Sequence, residues 1–357
     1  MLKNSIKHLV ELEIFAEVLI DWYYKNSRDL PWRKTSDPYL IWLSEIILQQ
    51  TRVDQGMEYY LKFENKYPTV FDLAHASEEE VLRDWQGLGY YSRARNLHAT
   101  AKQVVDDYQG KFPNNYKELI KLKGVGDYTA SAIASFAFHE AVPVLDGNVF
   151  RVVSRYLGVK DDIAEAKSRK VFKNALDHLI PEEGKLVHDF NQGIMEFGAL
   201  QCSPKSPNCE ECVFLSSCFA YEHKAVTSLP VKSKKVKVKK RFLTYLVIEK
   251  DGRLVMNRRG DKDIWAQMFD FPLIETAKHE PLNLDELIEA KIQANNFVIK
   301  EVKDPIKHIL THQHLFIQFV KVELQEENRY LNWFNLNEIN ELPKPIVIEN
   351  HLRKFYF

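Results

Sequence analysis

The four cysteines of the chain all lie in one short stretch, and their spacing suits a metal site. They are Cys202, Cys209, Cys212 and Cys218, separated by six, two and five residues. Disulfide frameworks spread their cysteines more widely and need an oxidising compartment. Four thiolates satisfy either zinc or an iron–sulfur cluster. Only the middle pair has the spacing typical of zinc, and the longer arms favour a larger object; four unligated core cysteines are the other alternative.

A single acid interrupts an apolar pattern near the N-terminus. Glu45 lies in residues 38–52, PYLIWLSEIILQQTR, which are apolar on nearly all sides and predict a buried helix. Burial disfavours a carboxylate and raises its pKa, which suits a general acid near neutral pH. The alternatives are a side chain that reaches the surface, or an ion pair with Arg28 or Arg52.

A glycine-rich turn and a second acid follow. Gly124 and Gly126, in LKGVG, predict a tight turn before a new helix, whose N-terminal amides could bind a phosphate. An ordinary turn between two helices is the alternative. Asp146 follows a hydrophobic run and precedes Gly147. It fits either a helix N-cap or a carboxylate that stabilises a developing positive charge.

Two kinds of architecture must position these residues. Apolar residues recur at spacings of three and four from residue 8 to about 225, which predicts helices. The basic run VKSKKVKVKKR follows at 231–241 and is typical of an exposed linker. Apolar runs at 242–249, 253–257 and 314–324, with helices near 284–295 and 336–341, predict a small α+β domain. We expect a mainly α domain at 1–225 with a metal loop at 202–218, a linker at 226–241, and an α+β domain at 242–357.

Composition sets limits on the partners. The chain has 49 basic and 50 acidic residues, so any affinity for DNA must come from local patches. No stretch approaches the ~18 consecutive apolar residues of a membrane span. The N-terminal residues lack the apolar core and cleavage site of a secretory signal. We therefore expect a cytoplasmic protein without a membrane partner.

Taken together, the motifs resemble one family. The cysteine spacing and the strings LKGVG and VLDGNV are similar to those of the endonuclease III superfamily of helix-hairpin-helix DNA glycosylases. The string WLSEIILQQT resembles the MutY family of A/G-specific adenine glycosylases within it. The resemblance implies a structural 4Fe-4S cluster on the four cysteines, and duplex DNA with adenine opposite 8-oxoguanine or guanine as the substrate. We further expect a bacterial, nucleoid-associated monomer.

The resemblance also implies roles for single residues. Glu45 would protonate the departing adenine, and Asp146 would stabilise the cationic sugar. Bifunctional relatives carry a lysine where this chain has Tyr128, so we expect a monofunctional glycosylase with Tyr128 in its active site. The residues expected to contact DNA or the flipped base are Arg28, Trp32, Leu48, Gln50, Thr51, Tyr90, Gly124, Gly126 and Glu196. Core packing is the alternative for the pocket and wedge residues.

The C-terminal domain carries a second resemblance. The strings NRRG at 257–260 and FDFP at 269–272 are similar to the Nudix-like fold of 8-oxoguanine triphosphatases, but the hydrolytic Nudix motif is missing. Many MutY relatives read the oxidised guanine with Phe-Ser-His. Here Leu310, Thr311 and His312 keep the hydroxyl and the imidazole but not the aromatic ring. A strand start without a ligand contact is the alternative.

Two rival functions remain. One is a pyrimidine-specific glycosylase/lyase of the same superfamily, against which Tyr128 and the C-terminal domain argue. The other is a non-catalytic iron–sulfur protein that binds DNA, against which the presence of both Glu45 and Asp146 argues.

Overall fold

The computed structural model describes residues 14–181, 183–233, 238–278, 283–293, 296–326 and 328–357. The chain divides into two compact units, Met1–Ala74 with Ala99–Lys234, and His75–His98 with Lys235–Phe357. The first unit is helical and the second combines a sheet with helices, which confirms the predicted fold class. Residues 8–13 of the predicted helical region, 234–237 of the predicted linker and 294–295 of a predicted helix lie outside the described residues.

The described part of the chain up to residue 233 contains helices and turns without strands. The helices are α1 (Phe15–Asn26), α2 (Pro38–Leu48), α3 (Val53–Lys66), α4 (Val70–His75), α5 (Glu78–Asp84), α6 (Ser92–Tyr108), α7 (Tyr116–Leu119), α8 (Asp127–Phe138), α9 (Gly147–Leu157), α10 (Ser168–Asp177), α11 (Gly184–Leu200) and α12 (Phe219–Glu222), with a 3-10 turn at Pro31–Arg33. Helix α5 belongs to the second unit, and α6 begins there and continues into the first.

Helix α2 is the central element of the helical unit. The predicted start signal is confirmed, because the Asp37 side chain accepts a hydrogen bond from the Tyr39 amide at 2.8 Å and Pro38 is the first helical residue. Most of the helix is buried, Glu45 included, as its apolar sequence predicts. Helix α2 packs against α3 and α8, and the helix α8 follows directly from the glycine turn.

A second group of helices, α1, α9 and α11, surrounds an aromatic core that includes Phe15, Trp22 and Phe197. Helices α9 and α11 cross closely at Gly198, where an added Cβ would lie 2.6 Å from the Asn148 Cβ. Only glycine allows this approach, which places the start of α9 beside the end of α11. The start of α9 carries Asp146, and the cysteine loop follows α11.

The second unit is built on a mixed sheet. Its strands are β1 (Lys239–Lys250), β2 (Arg253–Val255), β5 (Leu273–Thr276), β6 (Phe297–Val302), β7 (Ile306–Ile309), β8 (Gln313–Leu324) and β9 (Trp333–Asn335), while β3 (Asn257–Arg258) and β4 (Phe269–Asp270) form a separate pair. Strands β1 and β8 run parallel in the middle, from Lys239 opposite Gln313 to Glu249 opposite Glu323. The predicted strands are confirmed, although β1 begins at Lys239, inside the stretch predicted to be linker.

Three helices complete this unit: α13 (Leu284–Ile292), α14 (Leu336–Glu341) and α15 (Ile346–Phe355). Hydrogen bonds join segment 75–98 to the rest of this unit. The Lys344 amide, between α14 and α15, donates to Gln86 Oε1 at 3.0 Å, and Arg95 Nη1 donates to the Ala266 carbonyl at 3.1 Å. Among the described residues, none of the helices is both long enough and apolar enough to cross a bilayer.

Candidate active site

Glu45 and Tyr128 form the centre of the site in the helical unit. Glu45 is 7 % exposed, and the Tyr128 hydroxyl donates to Glu45 Oε2 at 2.5 Å. The pKa of Glu45 is raised to about 7: burial raises it most, the Tyr128 hydrogen bond and the Arg33 charge oppose this rise, and the Asp146 charge adds to it. The site therefore holds a carboxyl group whose pKa is raised towards neutral pH, which is what a general acid needs.

Asp146 caps helix α9 and lies close enough to influence Glu45. Its Oδ1 accepts from the Val149 amide at 2.7 Å, and its Oδ2 accepts from Asn148 Nδ2 at 2.8 Å. Burial raises the pKa of Asp146, and these two hydrogen bonds oppose that rise. The predicted N-cap is thus present, and the same carboxylate adds negative charge next to Glu45 and Tyr128.

A buried ion cluster lies beside this pair. Glu196 is 1 % exposed and accepts from Arg28 Nε at 2.8 Å, Arg28 Nη2 at 2.6 Å and Arg33 Nη2 at 2.8 Å. Burial raises the pKa of Glu196, but the hydrogen bonds from the two arginines outweigh it and lower the pKa to about 2. The alternative ion pair of Glu45 with Arg28 is wrong, because Arg28 binds Glu196.

Arg33 is a site residue that the sequence interpretation missed. It binds Glu196 and its charge lowers the pKa of Glu45. Its Nε is buried without a hydrogen-bond partner among the described residues. The only sequence signal is its position after Pro31, in a short turn whose partner lies at Glu196, far along the chain.

The remaining predicted pocket and wedge residues lie either in the hydrophobic core or in the turn after α2. Trp32 is buried and packs edge-on against Tyr60, with 5.1 Å between ring centroids. Leu48 ends α2 and packs against Gly56, where an added Cβ would meet Leu48 Cδ2 at 2.7 Å. Gln50 and Thr51 follow in a turn in which Gln50 has a positive φ of 54°. A non-glycine residue in this region is strained, which often marks a functional position.

The glycine turn has the predicted helix-hairpin-helix form, with α7 before it and α8 after it. Gly124 adopts a φ of 74°, which favours glycine, and Gly126 is the N-cap of α8. A Cβ at Gly126 would meet no atom within 4 Å, so the backbone there is open to a ligand. Asp127 follows and binds Lys173 and Arg169 at 2.6 and 3.2 Å.

The four cysteines surround one shared cavity. The cavity has a volume of about 40 Å³, and Cys202, Cys209, Cys212 and Cys218 all contribute to its lining. Among the described residues, no three His, Cys, Asp or Glu side chains are arranged to hold a single metal ion. Burial raises the pKa of Cys212 to about 11, and the other three thiols add to this rise. Four cysteine thiols that line one cavity are a donor set that suits an iron–sulfur cluster or a zinc ion.

Two arginines of α9 hold the cysteine loop in place. Arg151 Nε donates to the Cys202 carbonyl at 2.7 Å. Arg155 Nη1 donates to the Ser203 carbonyl at 2.8 Å and lies 3.4 Å from Cys202 Sγ. Both arginines are buried, so the loop is fixed by charge-assisted hydrogen bonds rather than by surface contacts.

In the second unit, the structure brings Tyr90, Thr311 and His312 to one cavity. The Tyr90 hydroxyl contacts Thr311 Oγ1. Thr311 and His312 form the tip of the hairpin between β7 and β8, closed by the Leu310 amide bonding to the Gln313 carbonyl at 2.8 Å. These residues therefore belong to a hairpin tip and not to a strand start.

Comparison with known proteins matches two parts of the chain to known families. Residues 43–178 match the HhH-GPD superfamily of base excision DNA repair proteins, and residues 244–354 match the NUDIX domain. A thermostable thymine-DNA glycosylase of known structure is 32 % identical with a TM-score of 0.54, covering 60 % of this chain and 97 % of its own. An endonuclease III–DNA covalent complex has a TM-score of 0.52 at 23 % identity, covers 60 % of this chain and 98 % of its own, and so shares the fold.

Curated relatives extend the match to nearly the whole chain. Adenine DNA glycosylase of Buchnera aphidicola (subsp. Schizaphis graminum) is 33 % identical over 93 % of this chain and 96 % of its own length. Adenine DNA glycosylase of Arabidopsis thaliana is 35 % identical over 86 % of this chain and 57 % of its own length. The human protein of that name is 40 % identical over 61 % of this chain and 41 % of its own. The chain thus belongs to the adenine DNA glycosylase family.

Proposed function

We propose that this chain hydrolyses the N-glycosidic bond of adenine mispaired with 8-oxoguanine or guanine in duplex DNA, without cleaving the strand. The observation that carries the proposal is the buried Glu45 with a pKa near 7, bonded to Tyr128 and close to the Asp146 charge. The names of the relatives support adenine as the base.

The two carboxyl groups divide the chemistry between them. Protonated Glu45 donates its proton to a ring nitrogen of adenine, and the bond from the base to C1′ breaks with its electron pair leaving on the base. The sugar then carries positive charge, which the Asp146 carboxylate stabilises across a site of low dielectric constant. Water adds to C1′ and its proton returns to Glu45, so atoms and charge balance.

Tyr128 supports hydrolysis rather than strand cleavage. Its hydroxyl is bonded to Glu45, and a tyrosine at this position provides no amine to form a Schiff base with the sugar. Borohydride reduction of the reaction should therefore trap no covalent protein–DNA adduct. A trapped adduct would favour the glycosylase/lyase alternative.

Several features support duplex DNA as the partner. The open backbone at Gly126 precedes the N-terminus of α8, where peptide dipoles favour a phosphate. In this proposal Gln50 and Thr51 fill the gap left by the flipped adenine, and Tyr90 inserts beside the opposite base. Gln50 and Tyr90 have positive φ values of 54° and 48°, a region that strains residues other than glycine. Thr311 and His312 offer a hydroxyl and an imidazole for reading the opposite base, without an aromatic ring at Leu310.

The four cysteines would hold a 4Fe-4S cluster, which would supply a structural crosslink between the end of α11 and α12. Arg151 and Arg155 fix the loop from α9. We further propose that the protein acts as a monomer in the bacterial cytoplasm, at the nucleoid where its substrate lies.

The test is the identity of the released base. Three duplexes should be compared, carrying A·8-oxoguanine, A·G and T·G; the last is included because one similar structure is a thymine-DNA glycosylase. Chromatography should detect free adenine from the first two and no free thymine from the third. Thymine release, or no release from any duplex by protein with full iron content, would overturn the proposal.

A further inference from the structure

The loop that carries Tyr90 has an unusual backbone. Gly87, Gly89 and Tyr90 have φ values of 106°, 73° and 48°, so three of four successive residues are left-handed. Glycine adopts this region readily, but tyrosine does so only with strain. Because a strained loop persists only when its surroundings hold it, other residues must fix this conformation.

Arg93 contacts this loop from the first turn of α6. Its amide donates to the Tyr90 carbonyl at 2.8 Å, and its Nη2 is 3.3 Å from both the Leu88 and the Gly89 carbonyl oxygens. Arg93 is only 8 % exposed. The guanidinium group thus binds the loop from its buried side, where hydrogen bonds to a charged donor are strong.

The same guanidinium also lies close to two aromatic rings. Its Cζ is 5.1 Å from the Trp85 ring centroid and 5.7 Å from the Tyr90 ring centroid. Trp85 is fully buried and its Nε1 donates to the Gly89 carbonyl at 3.1 Å. Trp85 therefore anchors Arg93, and Arg93 reaches both the backbone of the loop and the exposed Tyr90 ring.

We propose that Arg93 is a positioning residue that holds loop 87–90 in its strained form and presents the Tyr90 ring for insertion into the DNA stack. The inference rests on the proposed function, in which Tyr90 enters the duplex. A ring ordered before binding loses less freedom on insertion, so the contacts of Arg93 should appear as affinity for DNA. Lysine is a poor substitute for Arg93, because it lacks the planar guanidinium group that stacks on aromatic rings.

A double-mutant cycle tests whether Arg93 acts through Tyr90. The measured quantity is the half-saturating protein concentration for adenine release from an A·8-oxoguanine duplex in single-turnover conditions. Tyr90→Ala should raise it about tenfold or more, since stacking of a base on an aromatic ring is worth ~1–3 kcal/mol. Arg93→Met and Arg93→Lys should each raise it severalfold. Combined with Tyr90→Ala, Arg93→Met should add little, because coupled residues are not additive.

Two further variants guard against a general loss of fold. Gly89→Ala adds a Cβ that meets no atom within 4 Å, but at a φ of 73°, so it disturbs the loop without filling the core. It should raise the half-saturating concentration, and add little to Tyr90→Ala, even if Arg93→Met does not fold. Arg83→Met is the matched control, since Arg83 forms an ion pair with Glu341 on α14. It should leave the half-saturating concentration unchanged.

The outcomes separate this inference from the proposed function. If the effects of Arg93→Met and Tyr90→Ala are fully additive, only the proposed role of Arg93 is overturned. The same holds if Tyr90→Ala raises the half-saturating concentration but Arg93→Met and Gly89→Ala do not. No effect of Tyr90→Ala overturns both the insertion of Tyr90 and the role of Arg93, while adenine release itself would still support the proposed reaction.

Discussion

The Tyr128 hydroxyl lies 2.5 Å from Glu45 Oε2 and donates a hydrogen bond to it. The sequence predicts Tyr128 in the active site, and the structure makes it a direct hydrogen-bond partner of Glu45. The bond favours the ionised form of Glu45, so it lowers the pKa of Glu45 and opposes the larger effect of burial.

The pH dependence of the reaction should follow from this pair. The rate of adenine release should fall as pH rises through about 7, because protonated Glu45 is lost. Tyr128→Phe removes a bond that lowers the pKa of Glu45, so the fall should move to higher pH. Single-turnover rates between pH 5 and 9 would show this; an unmoved or lowered inflection would mean that Tyr128 does not act on Glu45.

Glu45→Gln should stabilise the fold, and more so at high pH. The pKa of Glu45 is raised from 4.5 to about 7 in the folded protein, so its contribution to stability is present below about 4.5 and lost as pH rises through about 7. The gain of the variant over wild type should be small at pH 5 and reach at most ~3 kcal/mol at pH 8. Thermal unfolding at pH 5 and pH 8 measures the stability difference between the variant and wild type. An equal difference at both pH values would contradict the raised pKa of Glu45.

Removing Glu196 should be costly, since it would leave two arginines without their carboxylate. Glu196→Gln should destabilise the protein by ~3 kcal/mol or more, because breaking a buried ion pair leaves uncompensated charge. Glu118→Gln is the matched control, since the Glu118–Lys121 pair is exposed and should be worth less than ~1 kcal/mol. Denaturant unfolding gives the free energy of unfolding of both variants. Equal decreases would show that the Glu196 ion cluster stabilises the protein no more than an exposed ion pair does.

Removing one cysteine tests the cluster. Cys212→Ser should strongly reduce the iron and sulfide bound per chain and abolish the brown absorbance, with a lower unfolding temperature. Ser203→Ala lies in the same loop and should retain all three properties, because Ser203 contributes its carbonyl to Arg155. The measurement is the iron and sulfide content per chain of each protein. Wild-type protein that is purified without oxygen and contains no iron would contradict the assignment of a 4Fe-4S cluster to the four cysteines.

Sequence reasoning located the residues with distinctive motifs and missed those whose partners are distant. Glu45, Asp146 and the cysteines stand out because a carboxylate in an apolar helix, a cap before glycine and a cluster of thiols are local signals. Arg33 carries no such signal, since its role depends on Glu196 across the fold. The sequence around Trp32 is compatible with either a pocket or a core position, and in the structure its ring packs against Tyr60.

The same limit applies to the architecture. The strands of β1 and β8 follow from their apolar runs, but their parallel pairing joins segments about seventy residues apart and has no local signature. The grouping of segment 75–98 with the C-terminal unit depends on contacts such as Gln86 with Lys344, which no periodicity reveals. The positive φ of Tyr90 likewise has no local sequence signal; it occurs beside the Gly89 carbonyl, to which Arg93 and Trp85 donate hydrogen bonds.

Adenine release from a duplex with one A·8-oxoguanine pair, compared between wild type and Glu45→Gln at equal cluster content, tests the central claim most directly. Wild type should leave an alkali-labile site, and the variant should be slower by at least ~100-fold, the usual contribution of a general acid. Equal rates would show that Glu45 is not the acid, and no release by wild type would contradict the glycosylase reaction itself.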